Sequence, residues 1–472
     1  MKKNDICLGV VSGYGRDGEG IIKAGDYTVF LPFAIPGEKV RFRVLKVQKN
    51  IVFAKVEEVL TPAEERARPK CPVFGKCGGC QLMHVEYNQQ LVIKRELITN
   101  CFKKIAFINA TPSKVIASTP AMHYRNKLQL PVRKGADGVV LGFFAVNSHR
   151  VVPVNDCVIH GEWCAKVIGA LKKYMTDKGI TAYDELSHSG AIRHLVVKKI
   201  GFEYIVILVV NGVGLPNLSY FTNLLEVALG ARYSLFINVN TRQDNVILTD
   251  QFIKVYGDGY VNDTFLGVNY QVGPATFMQV NEYIKGRLYS RVSELVSGEQ
   301  TVIDAYCGGG LLTAIIAKKC GNAIGIEIVP EAIECANQLA KDNQINNVRF
   351  ICGSCEDHLP QIIAENPNAA LVLDPPRKGL DKQVALAILK SKPRRIIYVS
   401  CSPQTLARDI AIIGGTLSYD DSGELKKKVD CAVNCQEGEI LPNGYKIDFL
   451  CGYDMFAQCK GVETICALTL VE

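Results

Sequence analysis

The sequence predicts a multi-domain α/β chain: a small N-terminal β-barrel, an α+β middle domain and a doubly wound, Rossmann-like C-terminal domain. Three observations carry this. The first sixty residues break into short apolar runs separated by turns rich in Gly, Asp and Pro. From Cys71 to about Thr264 one long helical period gives way to strand-like runs, and beyond about Val268 helical periods alternate with strongly apolar segments. That last alternation is the mark of a parallel sheet buried on both faces. A length of 472 residues allows about two to four domains.

Taken in order, the barrel strands are expected at 8–11, 27–31, 39–47 and 51–57, which defines a unit over 1–60. Alternate positions of a strand share a face, so Arg41 and Arg43 point the same way. That face is either ordinary solvated surface or a contact for RNA. Residues 61–70, with Pro62 and Pro69, read as a linker. In the middle unit, 71–264, helical periodicity covers 87–107 and strands are expected around 127–132, 139–144, 195–199 and 204–210. The C-terminal unit, 268–472, has expected strands at 301–305, 323–328, 349–352, 370–374 and 395–400, with a final strand at 464–471.

Composition narrows the class further. Hydrophobic residues make up 48% and charged residues 21%, an ordinary globular balance. Eighteen cysteines are too few for a secreted disulfide framework of this length and suit a reducing compartment, so a cytoplasmic location is expected. No apolar run approaches the roughly eighteen residues of a membrane span, and no secretory leader is recognisable, so no membrane partner is expected. The net charge of +7 is modest, and its distribution matters more than its size. Segments 123–127, 133–134, 193–194, 198–199 and 377–378 carry cations with few acids, so they are candidate phosphate contacts.

The strand at 301–305 runs through Tyr306 and Cys307 into three glycines, 308–310, and then into a helical period. Glycines there let backbone approach a ligand closely, although any strand-to-helix turn uses them too. Nineteen residues past Gly308, Glu327 ends the next strand, where an acid accepts both hydroxyls of a ribose. A nucleoside cofactor is implied. The spacing is not the G-x-G-x-x-G of dinucleotide folds, and Asp304 before the turn suits the cationic sulfonium and amino group of S-adenosylmethionine better than a pyrophosphate. The fourth strand ends in Asp374-Pro-Pro-Arg-Lys-Gly and the fifth in Tyr398-Val-Ser-Cys401, so Asp374 and Cys401 are expected at one sheet edge.

Together with Cys71-x5-Cys77-Gly-Gly-Cys80 and Val462-Glu463-Thr464, these motifs resemble the RNA uracil-C5 methyltransferases over nearly the whole chain. The barrel is similar to a TRAM domain, an OB-like RNA-binding module, and its combination with the cysteine cluster is similar to the 23S ribosomal RNA branch. The resemblance implies that Cys401 is the nucleophile and Glu463 the base. It implies that Gln279, Tyr306, Glu327 and Asp374 contact the cofactor, and that Cys71, Cys77, Cys80 and Cys157 hold a [4Fe–4S] cluster. The cysteine spacing supports a cluster, with a zinc site made by the same four thiolates as the lesser alternative. The expected activity is methyl transfer from S-adenosylmethionine to C5 of a uridine in 23S rRNA, by a monomer. The alternatives are a tRNA uridine, or an RNA-binding iron–sulfur protein without turnover.

The sequence departs from that family in three places. Ser402 follows Cys401 where Asn or Thr is usual, and Gly461 precedes Val462 where His is usual. Residues 414–443 form an atypical insertion with Cys431-x3-Cys435 and a basic run, Lys426–Lys428. It reads as a surface hairpin, an RNA or subunit contact, or a second metal site.

Overall fold

The computed structural model describes residues 1–136, 138–212, 214–420, 422–427 and 438–471. Near the N-terminus a six-stranded sheet runs in the spatial order Ile6–Val10, Lys39–Gln48, Ile51–Thr61, Tyr27–Leu31, Gly20–Ala24, Gly13–Tyr14. Its alternating pattern turns Val40, Phe42, Val44, Val52 and Ala54 onto one core. Ser12 N donates to Ile21 O at 2.7 Å, drawing the end of the first strand back onto the Gly20 strand.

The middle sheet has seven strands, ordered Val151–Pro153, Gly138–Phe144, Lys127–Gly135, Ile192–Ile200, Glu203–Val210, Tyr233–Val239, Phe252–Tyr256. The helices Trp163–Asp177 and Leu218–Leu229 cover one face. The hairpin Val261–Phe265 and Val268–Val272 packs on the other. The two central strands are therefore apolar on both faces, which is why they read as continuous hydrophobic runs.

The C-terminal sheet has eight strands, ordered Val348–Cys352, Asn322–Glu327, Thr301–Ala305, Ala370–Leu373, Arg395–Ser400, Glu463–Leu470, Tyr445–Tyr453, Val115–Ile116. The first five are parallel, as the alternation of helix and apolar strand predicts. Glu463–Leu470 then pairs antiparallel, so the sheet is mixed rather than wholly parallel. Helix Tyr87–Cys101 continues into a π-helical turn, Phe102–Ala106, and its apolar side packs into this core although it precedes the middle sheet in the chain. The 414–443 insertion begins as a small hairpin, Leu417–Tyr419 with Leu425–Lys427. Lys428, Cys431 and Cys435 lie outside the described residues. Among the described residues no helix is long and apolar enough to cross a membrane.

Candidate active site

Parallel strands all present their carboxyl ends to one edge, and the side chains at those tips open into a cleft of about 1700 Å³. Tyr306, Glu327, Asp374 and Cys401 each follow or end such a strand, and Glu463 opens the antiparallel strand beside them. Gln279 enters just before helix Glu282–Leu295. Cys71, Cys77, Cys80 and Cys157 line the far end of the same cleft. All ten residues singled out in the sequence are thus brought to one cavity.

At the Asp304 end the backbone is unusual. Tyr306 sits at φ +67°, a region that costs a bulky residue free energy, and Gly308 and Gly310 follow at +52° and +78°. A Cβ on Gly310 would come within 2.6 Å of Ala336 Cβ, so the turn packs on the helix behind it without a side chain. Gly308 N donates to Glu327 Oε2 at 3.1 Å and Val329 N to Oε1 at 3.0 Å, which fixes that carboxylate at its strand tip. Asp304 Oδ2 accepts from Thr313 Oγ1 at 2.5 Å, while Oδ1 is buried without a partner. Burial pushes the Asp304 carboxyl up to about 7, despite the Thr313 bond and with Asp374 and Glu327 adding to it. An unpaired buried carboxylate oxygen at a cavity wall is costly unless a cation meets it. The donor set fits S-adenosylmethionine, with its sulfonium and ammonium charges and its ribose diol.

Burial also acts on the carboxyl groups at the neighbouring strand ends. Burial raises Asp374 to about 7. Glu463 is 5% exposed, and burial raises its carboxyl to about 8, with the Asp374 charge adding and the Arg377 guanidinium opposing. Cys401 is half-buried. Burial pushes its thiol up and Glu463 adds to that, whereas Arg377, close enough to donate to the sulfur, pulls it down. Arg377 is placed by a clamp: Leu380 N donates to Asp409 Oδ2 at 2.8 Å, Arg408 Nη2 to Lys378 O at 3.0 Å, and Tyr398 OH to Asp409 Oδ2 at 2.6 Å. A Cβ on Gly379, at φ +77°, would meet Arg408 Nη2 and Asp409 Oδ2 at 2.5 Å, so the clamp needs glycine there. Ser402 caps helix Pro403–Gly414 by accepting from Thr405 N, a role serine fills well, so that departure in sequence keeps the local structure. Tyr289, on helix Glu282–Leu295, faces this end too; burial raises its phenol, with Asp374 and Asp304 adding. No motif marked it.

At the other end the four cysteines converge. Cys157 is close enough to feel Cys71 and Cys77, and Cys80 feels Cys157 and Cys77. The structure adds a fifth, Cys459, which hydrogen-bonds Cys80 and donates to Gly79 O at 3.0 Å. Sequence spacing could not reveal it, because it lies 379 positions from Cys80. Among the described residues no three His, Cys, Asp or Glu side chains are close enough to hold a single metal ion.

Several expected phosphate contacts are instead internal. Arg193 is buried, donates to Asn240 O and Arg242 O at 2.7 Å and lies over the Tyr183 ring. His194 is buried beside it. Lys198 is 1% exposed and its ammonium donates to Gly273 O (3.0 Å), Pro274 O (2.6 Å) and Thr276 O (2.6 Å), fixing the segment that leads to Gln279. Arg133 pairs with Glu185. Arg193, Lys198 and Arg133 thus spend their hydrogen bonds on protein groups, and burial keeps His194 uncharged. His123, Lys134, Arg377 and Lys378 are exposed, and Arg125 and Lys127 line the cleft. On the N-terminal sheet, Arg41 pairs with Glu58 and Arg43 with Glu57, both at 2.8 Å.

Comparison with known proteins gives concordant results. Residues 222–419 match the model of the tRNA (uracil-5-)-methyltransferase family. An uncharacterized RNA methyltransferase of Clostridium tetani is 35% identical over 99% of this chain and 97% of its own length. Another from Halalkalibacterium halodurans is 36% identical over 88% and 92%. The crystal structure of Pyrococcus abyssi tRNA (uracil-54, C5)-methyltransferase in complex with S-adenosyl-L-homocysteine superposes with a TM-score of 0.74, at 25% identity, over 98% of this chain and 99% of that one.

Proposed function

Because the chain belongs to the RNA uracil-C5 methyltransferase family and is an S-adenosylmethionine-dependent RNA methyltransferase, we propose that it methylates C5 of a uridine in 23S rRNA, with Cys401 as nucleophile and Glu463 as base. The observation that carries the reading is the sharing of one cleft by Cys401, Arg377, Glu463 and the unpaired Asp304 oxygen.

Uracil C5 is too poor a nucleophile to react unaided. S-adenosylmethionine, when bound, supplies an electrophilic methyl group; the chain must make C5 attack it. The Cys401 thiolate forms a bond to C6, and the displaced π electrons make an enolate with C5 as its carbon terminus. Arg377 holds the negative sulfur before attack. Once C5 has taken the methyl group it carries a hydrogen as well. Glu463 removes that proton, the C5–C6 double bond re-forms, and the S–C6 bond breaks to release thiolate. Gln279, Tyr306, Glu327 and Asp374 would hold the cofactor, with Asp304 facing its cationic part.

A paired base cannot reach Cys401, so the uridine must be unpaired or extruded. We assign the 1–60 sheet to a TRAM-type RNA-binding barrel, 71–264 to a central unit whose Cys71, Cys77, Cys80 and Cys157 hold a [4Fe–4S] cluster, and 268–472 to the methyltransferase unit. A monomer acting in the cytoplasm completes the reading. Anaerobically purified protein should be brown, and Cys77→Ala should lose that absorbance; a colourless wild type containing stoichiometric zinc would refute the cluster.

The alternative of a tRNA uridine is favoured by one observation, the superposition along nearly the whole chain on a tRNA uracil-54 enzyme. Mapping 5-methyluridine in both RNAs from cells with and without the gene decides between them. Loss of the mark from 23S rRNA supports the first reading; loss from tRNA alone replaces it with the second.

A further inference from the structure

We propose that Gln90 is a positioning residue for Glu463: through its pairing with Gln458, helix Tyr87–Cys101 and the cysteine-bearing loop hold the segment that delivers the base to the cleft. This rests on the reading of Glu463 as the base. The chain leaves the sheet after Tyr453 and returns at Glu463. The intervening residues form no strand, so their hydrogen-bonding groups need partners from elsewhere.

Many of those partners come from the first quarter of the sequence. Leu82 N and Gln81 N donate to Gln458 O at 3.0 and 3.2 Å, and Lys460 N donates to Gln81 Oε1 at 3.2 Å. Lys94 forms a fully buried ion pair with Asp454 and donates to Phe456 O at 3.0 Å. Gln458 itself sits at φ +69°, where a residue with a Cβ is strained and persists only if its surroundings hold it. Gln90 does so. Its Oε1 accepts from Gln458 N at 3.2 Å and its Nε2 donates to Gln458 Oε1 at 3.0 Å, both bonds buried.

The consequence is selective. Cys401, Asp304 and Glu327 belong to the ends of other strands, whereas Glu463 is the first residue of the returning strand, five residues beyond Gln458, on a path held by Lys460 N on Gln81, by Cys459 on Gly79 O and by buried Val462. Relaxing Gln458 therefore loosens the segment that leads into the base, while the nucleophile and the cofactor groups keep their own strands. It also gives the cysteine loop a task in a reaction that needs no net redox step, because residues 78–82 are one side of the mould.

The test compares wild type, Gln90→Ala and Glu463→Gln on RNA carrying the target uridine, and on the same RNA with 5-fluorouridine. Three quantities are read: S-adenosylmethionine affinity, the rate of 5-fluorouridine adduct formation, and the fraction of ordinary-uridine RNA trapped on protein in a denaturing gel. The expected result for Gln90→Ala is unchanged affinity and adduct rate, turnover reduced tenfold or more, and trapped RNA as for Glu463→Gln. Gln90→Glu, which keeps the acceptor for Gln458 N, should recover part of the turnover. Gln81→Ala serves if Gln90→Ala does not fold, and should show the same pattern more weakly. Wild-type turnover in Gln90→Ala, or a parallel loss of cofactor affinity, adduct rate and turnover, would overturn the proposal. No adduct with the wild type at all would overturn the uridine chemistry itself, and this inference with it.

Discussion

The two ends of the cleft are built by opposite means. At the Asp304 end, most of the candidate side chains sit at the ends of sheet strands with buried interiors, so each position is fixed by the sheet and its electrostatics are set by burial. At the cysteine end they sit on loops from distant parts of the chain, and their arrangement depends on contacts such as Gln90 with Gln458 and Cys80 with Cys459. The difference teaches which feature of a site can be deduced without coordinates. A strand tip is placed by the apolar run that precedes it, whereas a loop announces only its residue types.

Substitutions should separate the two ends, and the largest effect is expected at the nucleophile. Cys401→Ala should lower methylation by about 10⁴-fold or more while keeping cofactor affinity; a variant that still methylated at a tenth of the wild-type rate would show that attack comes from elsewhere. Glu463→Gln should lower turnover by about 10² to 10⁴-fold and leave RNA covalently attached. Because the carboxyl is raised to about 8, the charged base is the minor form at neutral pH and grows as pH rises. The elimination step of the wild type should therefore accelerate from pH 6 to 8, and a flat profile in single-turnover kinetics would contradict the role.

Asp304→Asn removes a charge that meets a cation, and S-adenosylmethionine affinity should fall by about 10 to 100-fold by calorimetry. Wild-type affinity should tighten as pH rises through 7, since a bound cation favours the charged carboxylate. Lys198→Met is the smallest change. It leaves three carbonyls without their donor and should cost about 1–3 kcal/mol of stability in denaturant titration, with cofactor affinity reduced only a few-fold. Substituting residues of the cysteine end should leave that affinity untouched.

The same contrast explains what was legible in the sequence. The Thr301–Ala305 and Arg395–Ser400 strands fall where their apolar runs place them, and Glu327, Asp374 and Cys401 follow from strand ends alone. The final strand does not run parallel to its neighbour, because nothing in an apolar run encodes direction. Arg193, His194 and Lys198 looked like RNA contacts since their charge is visible in sequence and their carbonyl and aromatic partners are not. Arg377 was legible as a cation but not as the neighbour of Cys401, which depends on the Asp409 clamp. Cys459 and Gln90 became informative only once the fold set them beside residues more than 350 positions away.

The most direct test of the shared cleft is to locate the covalent bond. Wild-type protein incubated with S-adenosylmethionine and 5-fluorouridine RNA, digested and sequenced by mass spectrometry, should yield one cross-linked peptide, joined through Cys401 and carrying a methylated fluorouracil. A cross-link at any other cysteine, or methylated uridine produced with no cross-link to the fluorinated RNA, would contradict the account.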